Sequence, residues 1–439
     1  MGLSATSGIG GARLCLAHAR DRLMGRAGLI RELRDLPGGG PDTFVHRATC
    51  RPADTGVYTG RRVVGETCGL GATRLEAHAG AVGEWLERYS ASVYQLGELV
   101  LASADELGAA AVPFASFFYY DPAQYAESGF PLPAPARDLP MRWARARELG
   151  SERVRFVPAC LVYMPYFTDR RHDYLTPAFS TGQACHVDRD AARLSALCEV
   201  IERDALAITW LNELSRGVVD LRGDPELAAM VETHLPAGKV RAAVVDITSD
   251  VAVPAMLCAV QAVSERGPLV AIGAAAHPDG ATAIRKAVIE AAAAVPYARA
   301  LLAGSPAWRP GPSYRNVTGF PDHVRLFCEP DHAAAAGFLV AGPRVAAPPR
   351  VPPASPRDNL ARCVEALAAR GLTACEVDLT TPDLAAAGFT CAKVLVPGAA
   401  PVSAIHAVQA LGSPRLRAVP AHLGLRPRAS WNPVPHPLA

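Results

Sequence analysis

Paired cysteine motifs are missing from this sequence of 439 residues, although it contains eleven cysteines. No two cysteines form a CxxC pair, so nothing in the sequence indicates a structural zinc site. The number of cysteines is odd and they are scattered along the chain, which argues against a disulfide framework. We therefore expect the protein to work in a reducing compartment, the cytoplasm.

Long apolar runs are also lacking. No stretch reaches the ~18 consecutive apolar residues that indicate a membrane span. The most apolar helical stretch, Ala287 to Leu302, is interrupted by Glu290, Pro296 and Arg299. The first fifteen residues are rich in glycine and serine and have no apolar core, so they do not resemble a signal peptide. These features predict that the protein does not interact with a membrane.

The sequence also lacks an excess of positive or negative charge. The chain has 44 Lys and Arg residues against 42 Asp and Glu residues, with the two signs interspersed. This balance gives no reason to expect binding to nucleic acid or to an anionic membrane surface. Half of the residues are apolar and a fifth are charged, which is typical of a globular protein with a large core.

The most informative segment present is Ala191 to Trp210, which reads AARLSALCEVIERDALAITW. Its apolar residues leave almost no polar face, so the segment predicts a helix buried on nearly every side. It nevertheless carries Glu199, Glu202 and Arg203, and glutamates three residues apart leave a helix on the same face. An isolated ExxER motif usually lies on a solvated face. Here the apolar surroundings favour a buried pair, which must be neutralised by a partner or a metal.

A second copy of the motif strengthens this interpretation. Ala77 to Ala91 reads AHAGAVGEWLERYSA and places Glu84, Glu87 and Arg88 at the same spacing. Thr73 is the predicted N-cap of this helix. Two buried helices that each offer two carboxylates and an arginine predict a hard, oxygen-rich site. Such a site suits Mg²⁺ and a polyphosphate better than zinc.

The remaining periodicities predict a mixture of helices and strands. The helical patterns cover residues 17–36, 280–302 and 357–370. Two strands are expected within residues 43–64, and others at 153–163, 240–246, 255–263 and 269–275. Residues 372–378 and 391–396 suggest a βαβ-like arrangement around a helical turn at 382–387.

The ordered series of motifs in this chain resembles the YcaO proteins, and within them the azoline-forming cyclodehydratases of ribosomal peptide biosynthesis. The resemblance rests on GLGATRLEAHAGAVGEWLERYSASVY, STGQACHVDRDAARLSALCEVIERDALAITWLN, ATAIRKAVIEAAAAVPYARALL, GFPDHVRLF, DLTTPDLAAAGFTCAKVLVPG and the PxPxP tail. It implies an α+β fold, with one large domain of mixed sheets and buried helices around a nucleotide and metal cleft. Within that domain we expect a helical lead-in (1–40), a core (41–430) and a proline-rich tail (431–439).

The resemblance also implies ATP and Mg²⁺ as cofactors. In the usual reaction a Cys, Ser or Thr side chain attacks the preceding backbone amide. The amide oxygen is phosphorylated and expelled, which leaves a thiazoline or oxazoline. The implied metal ligands are Glu84, Glu87, Glu199 and Glu202, and the implied nucleotide-binding residues are Arg88, Arg203, Arg285 and Asp190. The implied active-site residues of the tail are Pro433, Pro435, Pro437 and Ala439, and we expect this segment to be ordered near Glu84 or Glu199.

The partners implied by the resemblance belong to a peptide-modifying complex. They are a ribosomal precursor peptide, a separate leader-binding protein of the ThiF-like or E1-like type and, as a further candidate, a flavin-dependent azoline dehydrogenase. A separate leader-binding protein is expected because the sequence shows no such module of its own. A homodimer or a hetero-oligomer is expected.

Six positions depart from the usual residues of the family, and all of them lose a polar group on the predicted nucleotide side. Leu70 replaces a lysine, Gly80 a serine, Val187 an asparagine, Ala191 a glutamate, and Ala293 and Val295 a glutamine and an arginine. Asp190 is the nearest substitute for the lost glutamate, but adjacent helical positions point about 100° apart.

These departures leave two main functions open. The chain is an active ATP-dependent cyclodehydratase, or it is a degenerate YcaO subunit without ATP turnover that scaffolds or activates a partner enzyme. Thioamide or amidine formation, which the PxPxP tail disfavours, and simple nucleotide binding are lesser alternatives.

Overall fold

The computed structural model describes residues 8–25, 28–37, 40–56, 60, 65–117 and 119–439. Its strands are β1 (Ile30–Leu36), β2 (His46–Pro52), β3 (Thr67–Gly71), β4 (Val100–Ala102), β5 (Met141–Glu148), β6 (Val154–Pro158), β7 (Gln183–His186), β8 (Gly217–Asp220), β9 (Arg241–Asp246), β10 (Ala255–Ser264), β11 (Gly267–Ala276), β12 (Arg344–Ala346), β13 (Cys375–Asp378) and β14 (Thr390–Leu395).

The α-helices interleave with these strands along the chain. They are α1 (Gly8–Arg22), α2 (Arg74–Ser92), α3 (Ala104–Leu107), α4 (Pro122–Ala126), α5 (Arg189–Leu211), α6 (Pro225–His234), α7 (Gly280–Gly304), α8 (Phe320–Leu326), α9 (Pro330–Ala335), α10 (Pro356–Ala368), α11 (Pro382–Ala386) and α12 (Arg415–His422). The mixture of helices and mainly antiparallel sheets confirms the predicted α+β class.

The chain folds into two compact units, each built from several segments. Unit 1 contains Met1–Leu36, Arg47–Val200 and Ala354–Ala399, and unit 2 contains Pro37–His46, Ile201–Pro353 and Ala400–Ala439. The boundary falls within α5, after Val200. The predicted division into a lead-in, a core and a tail remains a prediction.

Unit 1 contains two sheets among its described residues. A three-stranded sheet has the order β1-β2-β3, and a larger sheet has the order β4-β5-β13-β14-β7 with β6 also paired to β5. Strand β14 pairs antiparallel with both β13 and β7. This arrangement places β7 at the end of the sheet, beside α2.

Helix α2 begins where the sequence predicts. The Thr73 hydroxyl accepts a hydrogen bond from the Glu76 N–H, and the Glu76 carboxylate accepts one from the Thr73 N–H, which completes a capping box. The helix packs closely on β3. A Cβ at Gly69 would lie only 1.9 Å from the carbonyl oxygen of Ala77, so the contact leaves room for glycine alone. Most residues of the helix are buried, including Glu84 and Glu87.

Unit 2 contains a five-stranded sheet among its described residues, with the order β11-β10-β9-β8-β12. Its pairings are antiparallel except for the parallel pair β8 and β12. The long helix α7 packs on β10 and β11 and buries most of its apolar side chains. Within the described residues, α7 alone is long and apolar enough to span a membrane. The core helices of soluble proteins pass the same test of length and composition, and most of α7 is buried.

Most predicted core elements are present at nearly the expected positions, including both ExxER helices, α7, α10 and the meander β9-β10-β11. The helical prediction for residues 17–36 was wrong beyond Arg22, because Ile30–Leu36 is a strand paired antiparallel with β2. Of the two strands expected within 43–64, β2 is present. Residues 57–59 and 61–64 lie outside the described part of the chain.

The βαβ-like arrangement was also wrong. Strands β13 and β14 are connected through α11 but run antiparallel, with Cys375 opposite Leu395. A βαβ unit requires parallel strands, so this is an antiparallel pair with a short helix in its connection.

Candidate functional site

Helix α2 presents the first carboxylate pair inside unit 1. The side chains of Glu84 and Glu87 are almost completely buried. Arg88 is partly exposed. Its Nε donates a hydrogen bond of 2.9 Å to Oε1 of Glu84, and its Nη2 lies 2.8 Å from the same oxygen as an ion pair. This i,i+4 pair neutralises Glu84 from within its own helix.

Glu87 is held from another element. Its Oε1 accepts a hydrogen bond of 3.1 Å from the backbone N–H of Cys185 in β7. Burial raises the pKa of Glu87 well above its usual value, and the negative charges of Glu84 and Glu199 raise it further. The negative charges of Glu84 and Glu199 therefore disfavour the ionised form of Glu87.

Glu199 is the third glutamate of the ExxER motifs that lies in unit 1, and its helix is α5. Its Oε2 accepts a hydrogen bond of 2.9 Å from the backbone N–H of Gly182. Gly182 ends the turn that leads into β7, so the same short segment orients both Glu87 and Glu199. The meeting of carboxylates from both ExxER helices remains a prediction, and the effect of the Glu199 charge on the pKa of Glu87 supports it.

Lys393 was not identified from the sequence, yet it lies beside this group. Its side chain is completely buried in β14, and its Nζ donates hydrogen bonds to the carbonyl oxygens of Phe179 and Thr181. Burial lowers the pKa of this lysine to about 7, while the negative charge of Glu199 acts in the opposite direction. A single lysine in an otherwise apolar strand was the available sequence signal.

The second half of α5 carries Glu202 and Arg203 into unit 2. Both side chains are buried, and Nη1 of Arg203 donates a hydrogen bond to Oε1 of Glu202. The neighbouring Asp204 receives two hydrogen bonds from Arg415, and its Oδ1 also accepts one from the N–H of Ala400. The acidic residues of this half of the helix are therefore neutralised by arginines.

The proline-rich tail packs inside unit 2. Nε1 of Trp210 donates a hydrogen bond of 2.8 Å to the carbonyl oxygen of Val434, and the ring of His436 stacks on His323 with centroids 4.0 Å apart. Pro435 and Pro437 are buried, whereas Pro433 is exposed and Ala439 is half-buried. The tail is ordered as expected. Its proximity to Glu84 or Glu199 remains a prediction.

The two other expected nucleotide-binding residues lie in less distinctive surroundings. Arg285 is exposed on α7. Asp190 is half-buried, 3.5 Å from Nη1 of Arg193, whose shorter bonds are made to Glu376. The nucleotide contacts of Arg285 and Asp190 remain predictions.

The six positions that depart from the family pattern are mainly packed as core. Leu70, Ala191, Ala293 and Val295 are buried, and Gly80 lies inside α2. Val187 is half-buried. Apolar side chains at these positions leave no polar group available for a nucleotide.

Carboxylate oxygens are the donors that Mg²⁺ prefers, and a cation would relieve the repulsion that raises the pKa of Glu87. The residues of unit 1 therefore fit Mg²⁺ in chemical type. Over the ranges that the structure describes, however, no three His, Cys, Asp or Glu side chains are gathered into a ready-made metal site.

Comparison with known proteins matches most of the chain to one family. The family model for YcaO cyclodehydratase, described as ATP- and Mg²⁺-binding, matches residues 68–400. An uncharacterized protein of Methanothermobacter thermautotrophicus is 28% identical over 228 residues, which cover 51% of this chain and 55% of the relative.

Solved structures share the fold. A heterocyclase in complex with substrate and cofactor aligns with a TM-score of 0.78 and 23% identity over 98% of this chain and 57% of its own. YcaO of Methanopyrus kandleri, bound with AMPPCP and Mg²⁺, aligns with a TM-score of 0.61 and 22% identity over 89% of this chain and 91% of its own. The E. coli microcin synthetase McbBCD complex with pro-MccB17 bound gives a TM-score of 0.57 and 14% identity, with coverage of 86% and 91%.

This chain spans little more than half the length of the archaeal relative and of the first heterocyclase. The structural likeness confirms the expected YcaO-type fold, and the family match covers most of the sequence. The chain belongs to the YcaO family.

Proposed function

We propose that this protein is an ATP-dependent cyclodehydratase that converts Cys, Ser or Thr residues of a ribosomal precursor peptide into thiazolines or oxazolines. The observation that carries the proposal is the buried Glu87 of unit 1, whose pKa is raised by burial and by the negative charges of Glu84 and Glu199. Such a buried carboxylate is costly for stability unless a cation or a basic ligand neutralises it. Family membership supports the choice of Mg²⁺ with ATP.

In the proposed reaction the thiol or hydroxyl group of the peptide side chain loses its proton to solvent and adds to the carbonyl carbon of the preceding amide. The resulting oxyanion takes the γ-phosphoryl group of ATP, and ADP leaves. Loss of the amide proton and departure of phosphate then form the C=N bond of the ring. Mg²⁺ with ATP would supply the phosphoryl group and screen its charge.

The residues of this chain would bind and orient these groups. Glu84, Glu87, Glu199 and Glu202 would hold the metal through carboxylate oxygens. Arg88 is partly exposed and already bonded to Glu84, so it could exchange that contact for a phosphate oxygen. Arg203 would contact the nucleotide, and the tail prolines would form part of the peptide-modifying site.

A second candidate function is supported by the buried departures from the family pattern. Leu70, Ala191, Ala293 and Val295 fill core positions with apolar atoms. A chain without these polar contacts would bind nucleotide weakly and would act as a scaffold or activator of another enzyme in the same complex.

The partners proposed for either function are a precursor peptide, a ThiF-like or E1-like leader-binding protein and a flavin-dependent azoline dehydrogenase. A homodimer or hetero-oligomer in the cytoplasm would bring them together. The likeness to a synthetase complex with bound pro-peptide supports an assembly of this kind.

Calorimetric titration of the full chain with AMPPCP, in millimolar Mg²⁺, separates the two functions. The catalytic proposal expects saturable binding that is lost without Mg²⁺ and weakened in E84Q. E226Q, which changes an exposed glutamate in unit 2, should bind like the wild type. Absence of binding by the wild type in the presence of the leader-binding partner and the peptide would reject the catalytic proposal in favour of the scaffold.

A second experiment measures the product. The full chain, the leader-binding partner and the peptide are incubated with ATP, and loss of one water per ring is followed by mass spectrometry. The catalytic function expects ring formation to stop in E199Q, with phosphate released in step with each ring in the wild type. Ring formation that persists at the full rate in E199Q would contradict the role of the carboxylate group.

A further inference from the structure

Lysine is rare in this protein, and one of its lysines is completely buried. The sequence contains Lys239, Lys286 and Lys393, while arginines make up the rest of its 44 basic residues. Lys393 is the lysine of unit 1, and its side chain has no exposed surface. Because a buried ammonium group is costly, its contacts must compensate for the lost hydration.

The contacts of Lys393 converge on one turn. Nζ donates hydrogen bonds of 2.9 Å to the carbonyl oxygen of Phe179 and 2.8 Å to that of Thr181. The same ammonium lies 4.8 Å from the centroid of the Phe179 ring, within the range of a cation–π contact. The side chain therefore holds both ends of the segment 179–181.

The main chain next to Lys393 fixes the following residue. The N–H of Val394 donates a hydrogen bond of 2.7 Å to the carbonyl oxygen of Gly182. Gly182 has φ = +82°, and a Cβ there would lie 2.2 Å from the carbonyl oxygen of Val394. Only glycine fits this position, so the turn is held against β14 by both its backbone and its lysine.

The 179–182 turn orients the candidate metal ligand Glu199. The N–H of Gly182 donates the 2.9 Å hydrogen bond to Oε2 of Glu199. The negative charge of Glu199 raises the pKa of Lys393, so the ammonium group lies within electrostatic range of this carboxylate. A continuous chain of contacts thus runs from the lysine through the turn to the carboxylate.

We propose that Lys393 is a positioning residue, which fixes the 179–182 turn and thereby sets the orientation of the Glu199 carboxylate and the affinity of unit 1 for a divalent cation. The cation-binding part of this inference rests on the proposed function. The positioning part stands on the hydrogen bonds alone. Lys393 itself is too deeply buried to contact the peptide.

The test compares K393M, K393R and K239M in the full chain. Methionine keeps the length of the lysine side chain but cannot donate to the two carbonyl groups. Arginine keeps the charge and its donors. Lys239 is an exposed lysine of unit 2 whose Nζ donates to the carbonyl oxygen of Pro41, so K239M is the matched control.

The first measurement is hydrogen exchange of the Gly182 amide at constant pH, followed without metal or nucleotide. K393M should exchange this amide at least about tenfold faster than the wild type, because the bond to Glu199 opens more often. K239M should leave it unchanged. An unchanged rate in K393M would overturn the proposal, whether or not the protein is an enzyme.

The second measurement is the binding of Mn²⁺, detected by electron paramagnetic resonance. K393M should weaken binding about 10- to 100-fold, as is typical when an outer-sphere partner of a metal ligand is lost, and K393R should recover part of it. If the Gly182 amide of K393M exchanges faster but its Mn²⁺ affinity is unchanged, the cation-binding part of the proposal is overturned and Lys393 has a structural role only. Faster exchange in a protein whose wild type binds no Mn²⁺ would reject the proposed function and retain the positioning.

Discussion

The backbone N–H of Cys185 donates a hydrogen bond of 3.1 Å to Oε1 of Glu87, although the two residues are 98 positions apart in the chain. The bond joins the first ExxER helix to the strand β7. It leaves Glu87 buried beside two other carboxylates, with the backbone bond as a neutral partner. A substitution that removes the charge of Glu87 and keeps its hydrogen-bond acceptor therefore tests this arrangement.

Glu87→Gln keeps an oxygen that can accept the Cys185 bond and removes the negative charge. In buffer with EDTA we expect it to stabilise the protein by about 1 kcal/mol, because one repelling buried charge is gone. The stabilisation that Mg²⁺ gives the wild type should shrink. Thermal unfolding with and without Mg²⁺ measures both effects, with Glu98→Gln as the exposed control in unit 1. Lower stability in EDTA would contradict the repulsion.

Two glycines at the contact of β3 and α2 should respond oppositely to alanine. A Cβ at Gly69 would lie 1.9 Å from the Ala77 carbonyl oxygen and 2.1 Å from the Ala81 nitrogen, so Gly69→Ala should cost about 3 kcal/mol or more. At Gly80 the nearest atom would be 3.4 Å away. Gly80→Ala should therefore be neutral or stabilising by up to about 1 kcal/mol, since alanine favours a helix.

Urea unfolding of both glycine variants tests this contrast. Equal destabilisation would show that the helix and strand are not in this close contact. Gly80→Ser belongs in the same series, because the space at Gly80 also admits the Cβ of the serine that the family usually carries.

Arg415 holds two buried carboxylates of unit 2. It donates to Asp204 at 2.9 and 2.7 Å and to Asp250 at 2.7 Å, and the three side chains are mostly buried. Arg415→Met would leave both carboxylates without this cation, and we expect a loss of about 3–5 kcal/mol in the free energy of unfolding.

The control for Arg415 is Arg350→Met. Arg350 makes a similar two-bond contact with Asp224, but its side chain is about half exposed. Its loss should cost much less than that of Arg415, because solvated ion pairs contribute little to stability. Urea unfolding of the two variants compares a buried and a solvated ion pair, and similar costs would contradict the burial of the Arg415 cluster.

Acid should weaken unit 2 through His277. Burial lowers the pKa of His277 to about 4, with a further decrease from Lys286. Its Nδ1 lies 3.0 Å from the backbone nitrogen of Asp279 and 3.3 Å from the Asp279 carbonyl oxygen, and the contacts with Asp279 raise the pKa and offset part of this decrease. The unfolded histidine binds a proton near pH 6.5, so the stability contributed by the neutral ring is lost as pH falls from 6.5 towards 4.

The shift corresponds to at most about 3 kcal/mol. His277→Gln should therefore lose less stability than the wild type between pH 6.5 and pH 4.5. The exposed His46→Gln should follow the wild type. Chemical unfolding at several pH values gives the slopes, and an identical slope for His277→Gln would contradict the prediction.

Local patterns were sufficient for several elements. The capping box at Thr73 and the apolar periodicity of residues 74–92 and 189–211 determine two buried ExxER helices, because these signals act within a few residues. The β9-β10-β11 meander follows from strand-like runs joined by a connection at 247–254 and a tight turn at 265–266. The repeated glutamates also indicated acidic helices that share a site.

Other features were decided by partners far away in the chain. Residues 30–36 read as helix by pattern, but they form a strand because β2 supplies the hydrogen-bonding edge. The orientation of β14 against β13, the bond from Cys185 to Glu87 and the burial of Lys393 depend on sheet order. Helical spacing is encoded locally, whereas strand pairing and the charges that meet inside a core depend on contacts between distant segments. The sequence by itself therefore determined which residues carry the charge, and the tertiary structure decided which charges face each other.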